Sequence, residues 1–258
     1  MRQQKRLLAF GAALVIALAN VASVAQQTLD RTQVPKAGPI PTLHVPTWTK
    51  TQLANGATLI VSERHSLPLV SFSITFLGGA NQFEPENRRG VASMTSSMLT
   101  EGTKTRTGDQ LSDALQLLGT NVSAGVGSEE GSIGFVSTTK NFDAVLAIMS
   151  DMMLNSTFPA DALDRLRART LVNLTQAKDQ PVVIGSQVFS RILYGDAHPY
   201  GQRPTETSVK AVTRDDVVAF QKAYFQPGRA IITVVGDVKP AQVKASVEKA
   251  LAAWTKGG

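Results

Sequence analysis

The stretch LANGATLIVSERHSLPLVSFSITFLGG, residues 53–79, constrains the fold more than any other part of this chain. Thr58–Glu63 and Leu69–Leu77 are rich in β-branched residues and alternate apolar with polar side chains, so each reads as a strand with one buried face. Asn55-Gly56 places a turn before the first, and Gly78-Gly79 ends the second. Helical signals follow. Thr107-Gly-Asp-Gln110 has the form of a capping box, ahead of a Leu111, Leu115, Leu118 stripe that stops at Gly119. Asn141 is placed to cap a helix that buries Phe142, Val145, Leu146, Met149 and Met153. Pro159 opens a long helix to about Ala177. Thr213-Arg-Asp-Asp216 starts another, carrying Val217, Val218 and Phe220. Gly131 to Thr139 and Ala230 to Val235 read as strands, and VVGDVKPAQVKASVEKALAAW as a strand, a turn and a final amphipathic helix. Strands and helices mixed in this way, with antiparallel hairpins, predict an α+β domain: a mostly antiparallel sheet with helices packed on it.

The chain before this domain has a different character. Arg2, Lys5 and Arg6 precede an apolar run, Leu7 to Val21, broken only by Asn20, and Ser23-Val24-Ala25 is a small-x-small cleavage site. Residues 1–25 therefore read as a secretory signal, exporting the protein to the periplasm or beyond; an uncleaved anchor is the alternative, although the run is short for a membrane span. Residues 26–47 hold Pro35, Pro39, Pro41 and Pro46 and read as an extended linker, leaving 48–258 as one domain. An exported chain without cysteine has no disulfide and no thiolate metal site, so its stability rests on its core. Half of the +6 net charge lies in the leader, and no basic run is interleaved with aromatics, which argues against nucleic acid as a partner. The sequons at Asn121, Asn155 and Asn173 read as chance matches.

One helix-like segment stands out. In GVASMTSSMLTEGT, residues 90–103, Ser93, Ser96 and Ser97 stand at i, i+3 and i+4 and share a helix face. Serine is a neutral-to-poor residue in helix interiors. Simple packing is one reading, with Val91, Met94 and Met98 turned to the core.

The order of LANGATLIVSE, GGANQFEPENRRGVA, MLTEGT, DAHPYGQRPTETSVKAVTRDDVVAFQKAYFQP and ITVVGD gives another reading. Over residues 50–257 it resembles the first domain of the insulinase/pitrilysin (M16) family of zinc peptidases, which includes mitochondrial processing peptidase. That family's motif is H-x-x-E-H: two imidazoles at i and i+4 hold zinc and the glutamate activates its water. Gly90-Val91-Ala92 and Gly102-Thr103 set the register, and the resemblance puts the motif on Ser93, Ser96 and Ser97. The family's distal glutamate falls on Asn173. The resemblance thus implies a degenerate site with no metal in this chain, and zinc only in a catalytic partner or a missing half.

The three histidines offer no replacement: His44 lies in the linker, His65 between two strands, and His198 in AHPYG, a structural loop in the family. A serine nucleophile at 93, 96 or 97 lacks a base. Family members work as halves or subunits that close around an extended peptide, added as a strand to a sheet edge. The matching edge is NVSAGVGSEEG, with Ser123, Ala124 and Gly125 as candidate peptide contacts. Ser123-Ala124 replaces the family's Asn-Ala, and Gly125 and Gly127 weaken the strand.

Three functions follow as expectations. The first is a catalytically inactive homologue serving a periplasmic, zinc-dependent peptide-processing or peptide-degrading complex, with a catalytic homologue or second half-domain as partner. The second is the inactive half of a longer active endopeptidase; the ending TKGG reads as the start of a linker. The third is a scaffold or binding module unrelated to proteolysis. No membrane association is expected after signal cleavage.

Overall fold

The computed structural model describes residues 38, 42 and 46–255. The expected signal, residues 1–25, and nearly all of the expected proline-rich linker, with His44, lie outside the described residues. All named elements belong to one compact unit, Val45–Gly258. Among the described residues there are six strands: β1 (Thr49–Gln52), β2 (Thr58–Glu63), β3 (Leu69–Leu77), β4 (Val122–Val126), β5 (Glu130–Thr138) and β6 (Ala230–Gly236). The helices are α1 (Ala80–Phe83), α2 (Val91–Met98), α3 (Gly108–Leu117), α4 (Phe142–Asn155), α5 (Ala160–Ala177), α6 (Pro181–Tyr194), α7 (Glu206–Ala211), α8 (Arg214–Tyr224) and α9 (Pro240–Ala250). Among the described residues no helix is long and apolar enough to cross a membrane.

The sheet order is β1-β2-β6-β3-β5-β4. The strands anticipated at 58–63 and 69–77 form where the alternation puts them, but they are not neighbours. β6 lies between them, parallel to β2 (Thr58 opposite Ile231) and antiparallel to β3 (Phe72 opposite Val234). Every other pair is antiparallel. Alternation selects the core face: Val70, Phe72, Ile74 and Phe76 of β3, Ile133 and Phe135 of β5, and Ile232 and Val234 of β6 are buried. Phe72 stacks on Phe135 with centroids 5.3 Å apart, and Phe76 meets Phe225 edge-on at 4.9 Å. Tyr224 is fully buried; its hydroxyl donates to the Gly78 carbonyl at 2.7 Å, and burial pushes its pKa up to about 12. The last core residue, Trp254, donates to the Phe225 carbonyl at 2.8 Å and accepts from Asn55 at 3.0 Å, closing the chain onto the Asn55-Gly56 turn.

The local helix signals hold with one exception. Thr107 and Gln110 form a reciprocal capping box, as do Thr213 and Asp216. Asn141 precedes α4 but makes no side-chain cap: a 3-10 turn over 139–141 leads directly into the helix, and the Asn141 amide donates instead to the Leu118 carbonyl at 3.0 Å. The five residues expected to be buried on α4 are all buried.

Candidate functional site

The site is built around α2. Gly78 has φ +82°, and any Cβ on Gly79 would lie 2.5 Å from the Gly127 carbonyl oxygen. Only glycine at both positions lets the chain leave β3 and run close over the β4–β5 hairpin. There the Ala80 N–H donates to the Gly127 carbonyl at 2.8 Å and the Asn81 N–H to that of Ser128 at 3.1 Å. α2 then begins at Gly90, in a left-handed conformation and without a side chain to cap the helix. Glu84 does that work. Its Oε1 accepts from the Gly90 N–H at 2.9 Å and the Ala92 N–H at 2.8 Å. A carboxylate there satisfies two free donors and opposes the positive end of the helix dipole. Burial raises the Glu84 pKa, against the two backbone bonds and the charge of Arg89. Glu84→Ala is expected to destabilise the domain by about 1–2 kcal/mol, and Glu84→Gln, which keeps an accepting oxygen, by less; urea unfolding of the two variants checks the order.

The three serines share the face expected of them. Ser93 and Ser97 are exposed, whereas Ser96 between them is 3% exposed. Their hydroxyls are partly turned back on the helix: Ser93 Oγ donates to the Gly90 carbonyl at 3.3 Å and Ser96 Oγ to the Ser93 carbonyl at 3.0 Å. Asn173 is exposed on α5, and α5 packs against α2. Three neutral hydroxyls and a carboxamide do not fit zinc, which takes imidazole, thiolate or carboxylate. Among the described residues no group of three His, Cys, Asp or Glu side chains is placed to hold a metal ion.

The end of α2 is pinned from another direction. Gly102, at φ +148°, turns the chain out of the helix. Thr103 Oγ1 and Thr105 Oγ1 each donate to Asp151 Oδ2 at 2.7 Å, and Asn155 donates to Oδ1 at 2.9 Å. Burial pushes the Asp151 carboxyl up, but the bonds from Thr105, Thr103 and Asn155 and the charge of Arg106 outweigh it and hold the pKa below the ordinary value. Neither Glu84 nor Asp151 follows from local spacing, because each reaches its partners through the fold.

β4, against which α2 also packs, is an outer strand of the sheet. Gly127 donates to the Glu130 carbonyl at 2.8 Å, and the β4–β5 register continues from that pair through Gly125–Ser132 and Ser123–Gly134. Hydrogen-bonded pairs alternate in an antiparallel ladder. The backbone groups of Val122, Ala124 and Val126 therefore point away from β5. Ser123 and Gly125 are exposed and Ala124 is half-buried.

The remaining histidines are engaged elsewhere. His65 is half-exposed, with Nδ1 2.7 Å from Asp237 and Nε2 3.1 Å from Glu63; these bonds, Asp237 first, raise its pKa. His198 Nδ1 accepts from the Tyr200 N–H at 3.1 Å and caps a 3-10 turn.

With this geometry in place, comparison with known proteins defines the class. Residues 59–197 match the profile of the insulinase family, peptidase family M16, and residues 211–258 match that of the peptidase M16 inactive domain. The chain belongs to peptidase family M16. It is 23% identical over 210 residues to an uncharacterized zinc protease of Rickettsia bellii, covering 80% of this chain and 50% of that protein. The fold is that of the peptidase M16 inactive domain from Pseudomonas fluorescens, with TM-score 0.76, 25% identity, and coverage of 82% of this chain and 52% of that one. It is also that of the first half of the periplasmic protease PqqL from Escherichia coli, with TM-score 0.72, 23% identity, and coverage of 82% and 47%. The chain spans about half the length of the curated relatives it matches.

Proposed function

We propose that this domain is a non-catalytic member of its family. It serves an exported, zinc-dependent peptide-processing or peptide-degrading assembly whose metal is held by another copy or another half. The observation that carries this reading is the serine face of α2: the zinc-motif positions 93, 96 and 97, and Asn173 on the neighbouring helix, hold no group that binds zinc or activates its water. Its contribution is the wall and edge of a peptide chamber. The outward backbone groups of Val122, Ala124 and Val126 offer main-chain pairing to an extended peptide. The length relation to its relatives favours a second form of the same reading, in which this is the inactive half of a longer active enzyme.

The test is reconstitution. Adding the chain from Gln26 onward to a co-encoded homologue with an intact H-x-x-E-H is expected to raise that homologue's cleavage of a quenched peptide. Ala124→Pro removes the outward N–H at an edge position where proline is tolerated, and it should lower the gain without unfolding the domain. Cleavage unchanged by the addition contradicts the proposal.

A further inference from the structure

A cavity of about 410 Å³ lies between α6, the 196–205 segment and Arg89, and none of the three serines lines it. Arg89 is its buried member, 8% exposed. No carboxylate stands within ion-pair distance of its guanidinium among the described residues. It donates from Nη2 to Gln202 Oε1, and its Nε is buried with no hydrogen-bond partner. Glu84 is an opposing charge that acts on Arg89, but it forms no ion pair with it and its Oε1 is engaged by the start of α2. A buried cation without a paired anion is costly, so a guanidinium in this state is poised to accept one.

The other lining charges leave the cavity cationic. Arg191 is clamped by Asp196, with Nη2 2.8 Å from Oδ2, so that carboxylate is already used. Arg203 is exposed and forms no ion pair among the described residues, and Glu86 is exposed to water. Gln202 is itself oriented, donating from Nε2 to the Asp196 carbonyl at 3.1 Å.

We propose that this cavity binds a carboxylate, with Arg89 as the buried anchor and Arg203 closing over it from the rim. Two parallel N–H donors of a guanidinium match the two oxygens of a carboxylate, and the volume suits a ligand of one or two residues. This goes beyond the reading of β4 as a peptide edge and does not depend on it.

Thermal unfolding of the chain from Gln26 onward, at constant ionic strength, is the experiment. Three probes are compared: acetylglycine for a C-terminal carboxylate, N-acetylglutamate α-amide for an acidic side chain, and inorganic phosphate. A saturable rise in Tm with at least one carboxylate is expected, with a saturable shift of the Arg89 Nε–H NMR signal. The better of the two carboxylates identifies the source. Arg203→Gln, a surface change that leaves the fold intact, should weaken that binding by about tenfold. No saturable response to either carboxylate overturns the proposal, as does a response to phosphate alone or one that Arg203→Gln leaves unchanged. Arg89→Lys keeps the charge but loses the fork and is expected to lose the response; circular dichroism of this variant separates that loss from unfolding.

Discussion

Replacing Ser93 and Ser97 with histidine and Ser96 and Asn173 with glutamate is expected to give the domain one tightly bound zinc ion. Ser93 and Ser97 are both exposed on one face of α2, so imidazoles there have room and water. They stand at i and i+4, the spacing at which two side chains of a helix converge. Position 173 adds a carboxylate from α5, the helix packed on α2. Two imidazoles and a carboxylate leave a fourth position for water, the arrangement of catalytic zinc sites. Zinc held this way binds with an apparent free energy on the order of 10 kcal/mol at neutral pH, a sub-micromolar affinity. The double variant with only the two histidines should bind much more weakly. Elemental analysis after dialysis reads both. If the fourfold variant retains no more zinc than the parent while remaining folded, the register set by Gly90 and Gly102-Thr103 is wrong.

The second large effect is on stability. Asp151→Ala removes the acceptor that holds Thr103, Thr105 and Asn155 together. Hydrogen bonds to a charged acceptor contribute more than neutral ones, and the loss should cost about 3 kcal/mol. For a domain of this size that lowers Tm by roughly 6–12 °C. The effect has a pH signature. The folded-state pKa of Asp151 is depressed, so its contribution is full above the unfolded aspartate value and fades as pH falls through the folded one. The stability gap between the parent and Asp151→Asn should therefore be constant near neutrality and shrink in acid. A gap that does not change with pH would assign the residue a packing role only.

What the sequence disclosed and what it withheld divide along one physical line. Thr58–Glu63 and Leu69–Leu77 were legible to the residue because alternation is a local property. So were the capping boxes at Thr107 and Thr213, since both partners lie within one turn. The placement of β6 between β2 and β3 was not, because a parallel pairing joins residues far apart in the chain and leaves no local trace. α6 was also missed. Its apolar residues do recur at helical spacing, with Ile184, Val188 and Ile192 at i, i+4 and i+8 and Phe189 and Leu193 beside them, but Gly185 interrupts the pattern and the stripe is exposed rather than buried in the core. At the site, the serine face was legible through its spacing and its flanking glycines. Glu84 and Asp151, which hold the two ends of α2 in place, emerged only from the folded chain. Arg89 is a similar case: one of two adjacent arginines in the sequence, it is distinguished only by burial.

On the proposed reading, this domain carries no working zinc site of its own. The most direct measurement is the zinc content of the purified chain from Gln26 onward, taken on the same sample as its cleavage of a quenched peptide. No stoichiometric zinc and no cleavage by the chain alone are expected. Bound zinc with cleavage that a chelator abolishes would contradict that reading, and would mean that the metal uses ligands other than positions 93, 97 and 173.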